Sequence, residues 1–292
     1  MGQKRSVGSR LFDIANYFIM IALIMITFYP LYYIFIVSIS DGYAVMKGSV
    51  HFWPTGVNLD TYRLILADPF VVRAYLNTII YTLVGTIVNL SCTVLCAYPL
   101  SRKEFFGRGF FTVMIVVTMF FSGGLIPSYL LVQKLGMVNT MWALIIPGAI
   151  SAWNMIIMRT FFQGIPNELF ESAHMDGAGE LRVLARILLP LSAPIIATIS
   201  MFYAVGHWNS FFPALIYLNE KVKYPLQVML RNMVIEGDMT TQTQELGGAY
   251  AYVTATNIKF AVIIIVILPI VMVYPFIQKY FIKGVMIGSL KG

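Results

Sequence analysis

Six stretches of this chain, at 14–39, 75–100, 110–132, 140–162, 189–216 and 259–281, are apolar over the length that crosses a bilayer core, about 20 residues for a helix. All 20 basic and 13 acidic residues fall outside these blocks or at their edges, as the high cost of a charge in hydrocarbon requires. Only 11% of the chain is charged and 59% is hydrophobic, against roughly 25% charged in a soluble domain. The chain could not cover its own surface with water-compatible groups, so lipid must be its solvent. The expected fold class is all-α, a polytopic membrane protein with about six transmembrane helices. Lys4, Arg5 and Arg10 precede the first apolar run in the manner of a signal peptide. That run is longer than the ~7–15 residues of a signal core, and no small-residue cleavage site follows, so it reads as a retained first span.

Orientation follows from Lys and Arg. The N-terminus, the 101–109 loop, the 159–188 loop and the C-terminal tail carry three basic residues each. The other side carries Lys47, Arg63, Arg73, Lys134, Lys221, Lys223, Arg231 and Lys259, mostly in two long loops where the rule is weak. Per residue the first set is richer, which puts both termini in the cytoplasm and leaves outside loops at about 40–74 and 217–258. The net charge of +7 is dispersed in short clusters between apolar blocks, a pattern that suits membrane topology and not nucleic acid. Cys92 and Cys96 lie four apart in one block, on one helix face, and imply neither a disulfide framework nor a metal site.

Pro30, Pro147, Pro194 and Pro269 fall inside or near the ends of spans, where each removes a backbone donor. Asn77, Asn89, Asn154, His207 and Asn209 are the notable polar residues in the apolar blocks; such groups usually face other helices or a wet cavity. In His207-Trp208-Asn209 an aromatic face stands beside hydrogen-bonding groups, the combination that binds sugar rings, and helix–helix bonding is the alternative. Asn154, Trp208 and Asn209 are the substrate-path candidates. An autonomous secondary carrier or channel is the rival reading. It would commonly need an ionisable group at membrane depth or internal repeats, and neither is visible. A membrane enzyme would need clustered His, Asp or Glu, whereas His51, His174 and His207 are scattered. The chain has no GxxxxGK[ST] phosphate loop and no metal-ligand cluster, so energy for uphill transport must come from another subunit.

The loop between the fourth and fifth blocks, 163–188, is the most informative segment. Pro166 and Asn167 can start a helix, with Glu168 and Glu171 near its positive end, and Gly177 is a natural stop. A second helix follows, with Leu181, Leu184, Ile187 and Leu188 at helical spacing, until Pro190. The first helix is expected to project Leu169, Phe170 and Met175 towards the cytosol as a docking knob for a soluble partner.

Within this loop Glu171-Ser172-Ala173, then Gly177, then Ile187-Leu188-Leu189-Pro190 resembles the EAA motif of permease subunits in ATP-binding-cassette importers, with its spacing kept and Ser172 in place of one alanine. Trp208-Asn209 followed by Ala214-Leu215-Ile216-Tyr217-Leu218 is similar to a stretch of carbohydrate permeases of the maltose-importer type, with Ser210 where those often have Glu. The tail, from Gln278-Lys279-Tyr280-Phe281-Ile282-Lys283-Gly284 to Gly288-Ser289-Leu290-Lys291-Gly292, resembles that of the second permease in such systems. Within the family the sequence looks closest to the branch serving polysaccharide-derived and uronate oligosaccharides, such as alginate or pectin fragments.

The resemblance implies a type I importer permease fold. Its parts are a cytoplasmic segment 1–13, a transmembrane domain 14–288 and a tail 289–292. The implied partners are a second homologous permease, an ATPase dimer that holds ATP and magnesium, an extracytoplasmic sugar-binding protein, an oligosaccharide and membrane lipid; this chain itself would bind no cofactor or metal and catalyse nothing. The 168–178 helix would seat in the ATPase, with Glu168 in its first turn and Glu171 making the polar contact beside Ser172. Ala173 and Gly177 would allow close approach, and Asp176 would orient the turn. An outside segment with Gln244, Gly247, Gly248 and Tyr250 would reach the binding protein.

Overall fold

The computed structural model describes residues 7–233 and 253–289, the stretch 276–289 as backbone alone. Among the described residues the regular structure is helical, with no strand. The chain divides into two compact units, Met1–Asp68 with Leu230–Leu268, and Pro69–Met229 with Pro269–Gly292.

The first unit is built on α1 (Val7–Ser38), with α2 (Gly42–Met46), α3 (Asp60–Ala67) and the first part of the last helix, which runs Ala255–Ser289. Leu11–Ser38 is long and apolar enough to cross a membrane, about 42 Å at 1.5 Å per residue. Ile19, Met20, Leu23, Ile24 and Ile26 along it are exposed, as side chains facing lipid would be. Pro30 lies within the helix without ending it. Burial begins at its C-terminal end, where Ile36 and Val37 pack with Ala44, Val50 and Phe260. Helix C-termini leave carbonyls without partners. Here the buried Asn257 amide donates to two carbonyls, Val37 at 2.9 Å and Ser40 at 2.8 Å.

The second unit centres on α4 (Pro69–Ser101), which packs along two later helices, α8 (Ala152–Gln163) and α12 (Ala193–Trp208). One continuous core joins Val94, Ala97 and Tyr98 of α4, Met155, Met158 and Phe162 of α8, and Ile195, Ile199 and Tyr203 of α12. Polar side chains stitch the same helices. Thr93 and Tyr203 share a hydroxyl bond of 2.6 Å, and the Tyr203 hydroxyl also accepts the Ser151 N–H at 3.0 Å.

Six apolar blocks do not give six unbroken helices. Leu11–Ser38, Pro69–Ser101 and Ala255–Pro275 are single helices of spanning length. The 110–132 block folds as α5 (Arg108–Phe120) and α6 (Leu125–Lys134), bent by 114°. The break holds Gly123-Gly124, and Gly124 has φ +82°, a backbone that glycine adopts freely. The 140–162 block becomes α7 (Trp142–Ile145) and α8, separated at Pro147-Gly148; the Gly148 carbonyl accepts from the Asn89 side chain at 3.2 Å. The 189–216 block divides into α11 (Leu189–Leu191), α12 and α13 (Phe212–Tyr217), with Pro194 and Pro213 in the first turns of the last two. That is where a missing N–H costs least.

Candidate coupling site

The site is built from the loop between α8 and α12. As expected, α9 (Glu168–Met175) starts after Pro166-Asn167, and the Asn167 carbonyl accepts from the N–H groups of Phe170 and Glu171 at 2.9 and 3.0 Å. The Asn167 side chain makes no cap bond. At the other end Gly177 N–H donates to the His174 carbonyl (3.0 Å) and Ala178 N–H to that of Ala173 (2.9 Å). This pair of bonds closes a helix through a left-handed residue, and Gly177 holds φ +75°. The chain then turns into α10 (Glu180–Val183), continues through a π-helical turn (Leu184–Leu188) and α11, and bends by 85° into α12.

The expectation that Phe170 points to the cytosol is corrected. Phe170 is only 1% exposed and Ala173 7%, and both join the core with Val183, Leu184 and Leu188. Residues three apart share a helix face, and this pair forms the inward one. The close approach that Ala173 permits is to its own protein. The Arg102 guanidinium covers the Phe170 ring at 3.8 Å. Glu168, Leu169, Glu171, Ser172, Met175, Asp176 and Gly177 are exposed, and Met175 reaches 88%. The Ser172 hydroxyl returns to the Leu169 carbonyl (3.2 Å), and the Asp176 N–H to that of Ser172 (3.0 Å). Beside α9 lies a groove of about 990 Å³ bordered by Tyr98, Arg102, Glu171, His174, Glu180 and Leu181.

Sequence reasoning missed Tyr98, Arg102 and Glu180. The Glu180 carboxylate accepts from the Tyr98 hydroxyl and pairs with His174 Nε2 at 3.0 Å. Arg159 Nε donates to the Leu100 carbonyl at 2.9 Å, so the end of α4 is tied to α8 as well. The available signal was Phe170 and Ala173 at helical spacing, which marks an inward face needing a partner surface.

The substrate-path candidates are not gathered into one polar site. Trp208 packs edge-on against Tyr75, with ring centroids 6.0 Å apart. It borders a cavity of about 270 Å³ lined by apolar groups that include Ile79, Leu83, Met201 and Ile270. Asn209 donates to the Val205 carbonyl (3.0 Å) and accepts from Gln227 (3.1 Å). Asn154 is buried in the first turn of α8. His207 pairs with Asn89 at 3.1 Å, a helix–helix bond. Gln244, Gly247, Gly248 and Tyr250 lie outside the described residues.

At the opposite end of α4 the segment following α13 is strapped down. Asn77 donates to the carbonyls of Val222 (2.7 Å) and Tyr224 (3.1 Å), Tyr81 donates to that of Lys223 (2.9 Å), and the Thr78 hydroxyl accepts the Leu226 N–H (2.8 Å). Asn139 and Lys223 both bond Glu220, and they hold its carboxyl below the usual range.

A helical domain with several helices of spanning length that anchors a short, half-buried helix at one end fits a transport permease. Residues 64–287 match the family described as binding-protein-dependent transport system inner membrane component, and the chain belongs to that family of inner-membrane permeases. It is similar to protein LplC of Bacillus subtilis (strain 168), 44% identical over 98% of this chain and 96% of that one. It is also similar to the polygalacturonan/rhamnogalacturonan transport system permease protein YtcP of the same organism, 42% identical over 97% and 99%. Among solved structures it is similar to a chain of a bacterial ABC transporter involved in the import of the acidic polysaccharide alginate. That likeness has a TM-score of 0.90 and 33% identity, and covers 96% of this chain and 100% of that one.

Proposed function

We propose that the chain is one of two homologous permease subunits of an ATP-driven importer that carries oligosaccharides of acidic polysaccharides across the cytoplasmic membrane. In this reading a separate ATPase dimer binds ATP and magnesium, an extracytoplasmic binding protein delivers the sugar, and both termini face the cytoplasm. The observation that carries it is the two-sided build of α9: Phe170 and Ala173 are sunk in the core while Glu168, Glu171 and Met175 stand free. A two-turn helix held this firmly, with an apolar tip in solvent, is suited to seat in the cleft of another subunit. Glu171 makes the polar contact there and Ser172, Asp176 and Gly177 shape the turn. The permeases named for polygalacturonan and alginate systems support the substrate class.

The test is uptake of a labelled uronate oligosaccharide into vesicles bearing the assembled complex. Uptake that requires both ATP inside and binding protein outside supports the proposal. Uptake by this chain alone, driven by an ion gradient, refutes it.

A further inference from the structure

We infer that Tyr98, Glu180 and His174 form a latch that ties α9 to the end of α4, with Arg102 over Phe170 as its second point. These are positioning residues that carry movement of α9 into the membrane helices. The inference rests on the coupling role proposed for α9.

An eight-residue helix is too short to hold itself together in water, so what happens to α9 is decided by its anchors. The apolar anchor, Phe170 and Ala173 in the core, resists withdrawal but has no direction. Directed contacts come from Glu180, which joins a residue of α4 to a residue of α9. Hydrogen bonds to an ionised acceptor are roughly twice as strong as neutral ones. Tyr98 is buried while the Glu180 side chain is 65% exposed, so the Tyr98 bond is sheltered from water on its donor side and the His174 pair on neither.

The two attachment points are matched in spacing. His174 follows Phe170 by four residues on α9, one helical turn, and Arg102 follows Tyr98 by four across the end of α4. Tyr98 reaches His174 through Glu180 while Arg102 covers Phe170 directly. Attachment at two points fixes the rotation of α9 about its axis as well as its distance. With the Leu100 carbonyl held by Arg159 of α8, a push on α9 is delivered to two membrane helices. Coupling between distant sites needs a linkage of this kind, whose arrangement both sites bias.

The test uses the assembled importer with Tyr98→Phe, which removes one hydroxyl, and Glu180→Ala, which removes the acceptor that Tyr98 and His174 share. The latch predicts that sugar moved per ATP hydrolysed falls roughly tenfold in Tyr98→Phe, the scale of one charge-assisted bond, while the ATPase still co-purifies. It also predicts that the double variant is no worse, because both changes break one linkage. An unchanged ratio, or uptake and hydrolysis falling in parallel, overturns the latch. If the wild-type complex hydrolyses ATP but moves no oligosaccharide, the proposed function fails. The latch is then judged by amide exchange over 168–183: faster exchange in Tyr98→Phe supports it, and unchanged exchange overturns it.

Discussion

Gly85 on α4 lies so close to the His207 imidazole on α12 that a Cβ at Gly85 would come within 2.5 Å of Nε2. Swinging the ring away would break the 3.1 Å bond that the same nitrogen makes to Asn89, one turn further along α4. Gly85→Ala is therefore expected to displace the ring, lose that bond and cost about 1–3 kcal/mol, the range for a buried polar group left unpaired or an overpacked contact. Thermal unfolding of the detergent-purified protein checks this, and the added change His207→Ala should restore most of the loss.

Asn77 holds two carbonyls of the segment after α13 with one amide. Asn77→Ala leaves both without that partner, at an expected cost of about 1–3 kcal/mol. The loss should appear as faster amide exchange over 221–229, with α9 unaffected at the other end of the unit. Asn77→Asp should do the same, since a carboxylate cannot donate.

Glu220 gives the same segment a pH dependence. Its carboxyl is held low by its bonds to Lys223 and Asn139, so the folded chain takes up the proton at a lower pH than the unfolded chain. The stabilisation is complete above the free carboxylate value and is lost as pH falls through the lower folded one. Protection at Asn219 and Lys223, taken as exchange relative to the intrinsic amide rate at each pH, should fall in that acid window for the wild type and stay constant across it for Glu220→Gln.

Gly177 has open space around it and a φ of +75°, so any penalty at this position is conformational. Gly177→Ala should cost about 1–2 kcal/mol, the price of a left-handed backbone with a side chain, and Gly177→Asn less. Exchange at Gly177 and Ala178, whose N–H groups close α9, reports it directly.

The sequence makes the membrane class, the start of α9 at Glu168 and its stop at Gly177 legible, because apolar length, caps and glycine act locally. The breaks inside three apolar blocks were less visible. Pro147-Gly148 and Gly123-Gly124 are compatible with a straight membrane helix until tertiary contacts, such as Asn89 on the Gly148 carbonyl, stabilise the interruption. Phe170 was misread for a related reason. Its helix offers several apolar residues, and only the packing of Val183, Leu184 and Leu188 together with Arg102, 68 positions earlier in the chain, decides which of them is covered. Tyr98 and Glu180 are likewise joined only by the fold.

The most direct test is a photo-crosslinker at Met175, an apolar side chain of α9 that is 88% exposed, in intact native membranes. The expected product is a covalent adduct with an ATP-binding-cassette ATPase, weakened when Glu171→Lys is added. Adducts confined to lipid or to a second copy of this chain, with no nucleotide-binding subunit among them, would contradict it.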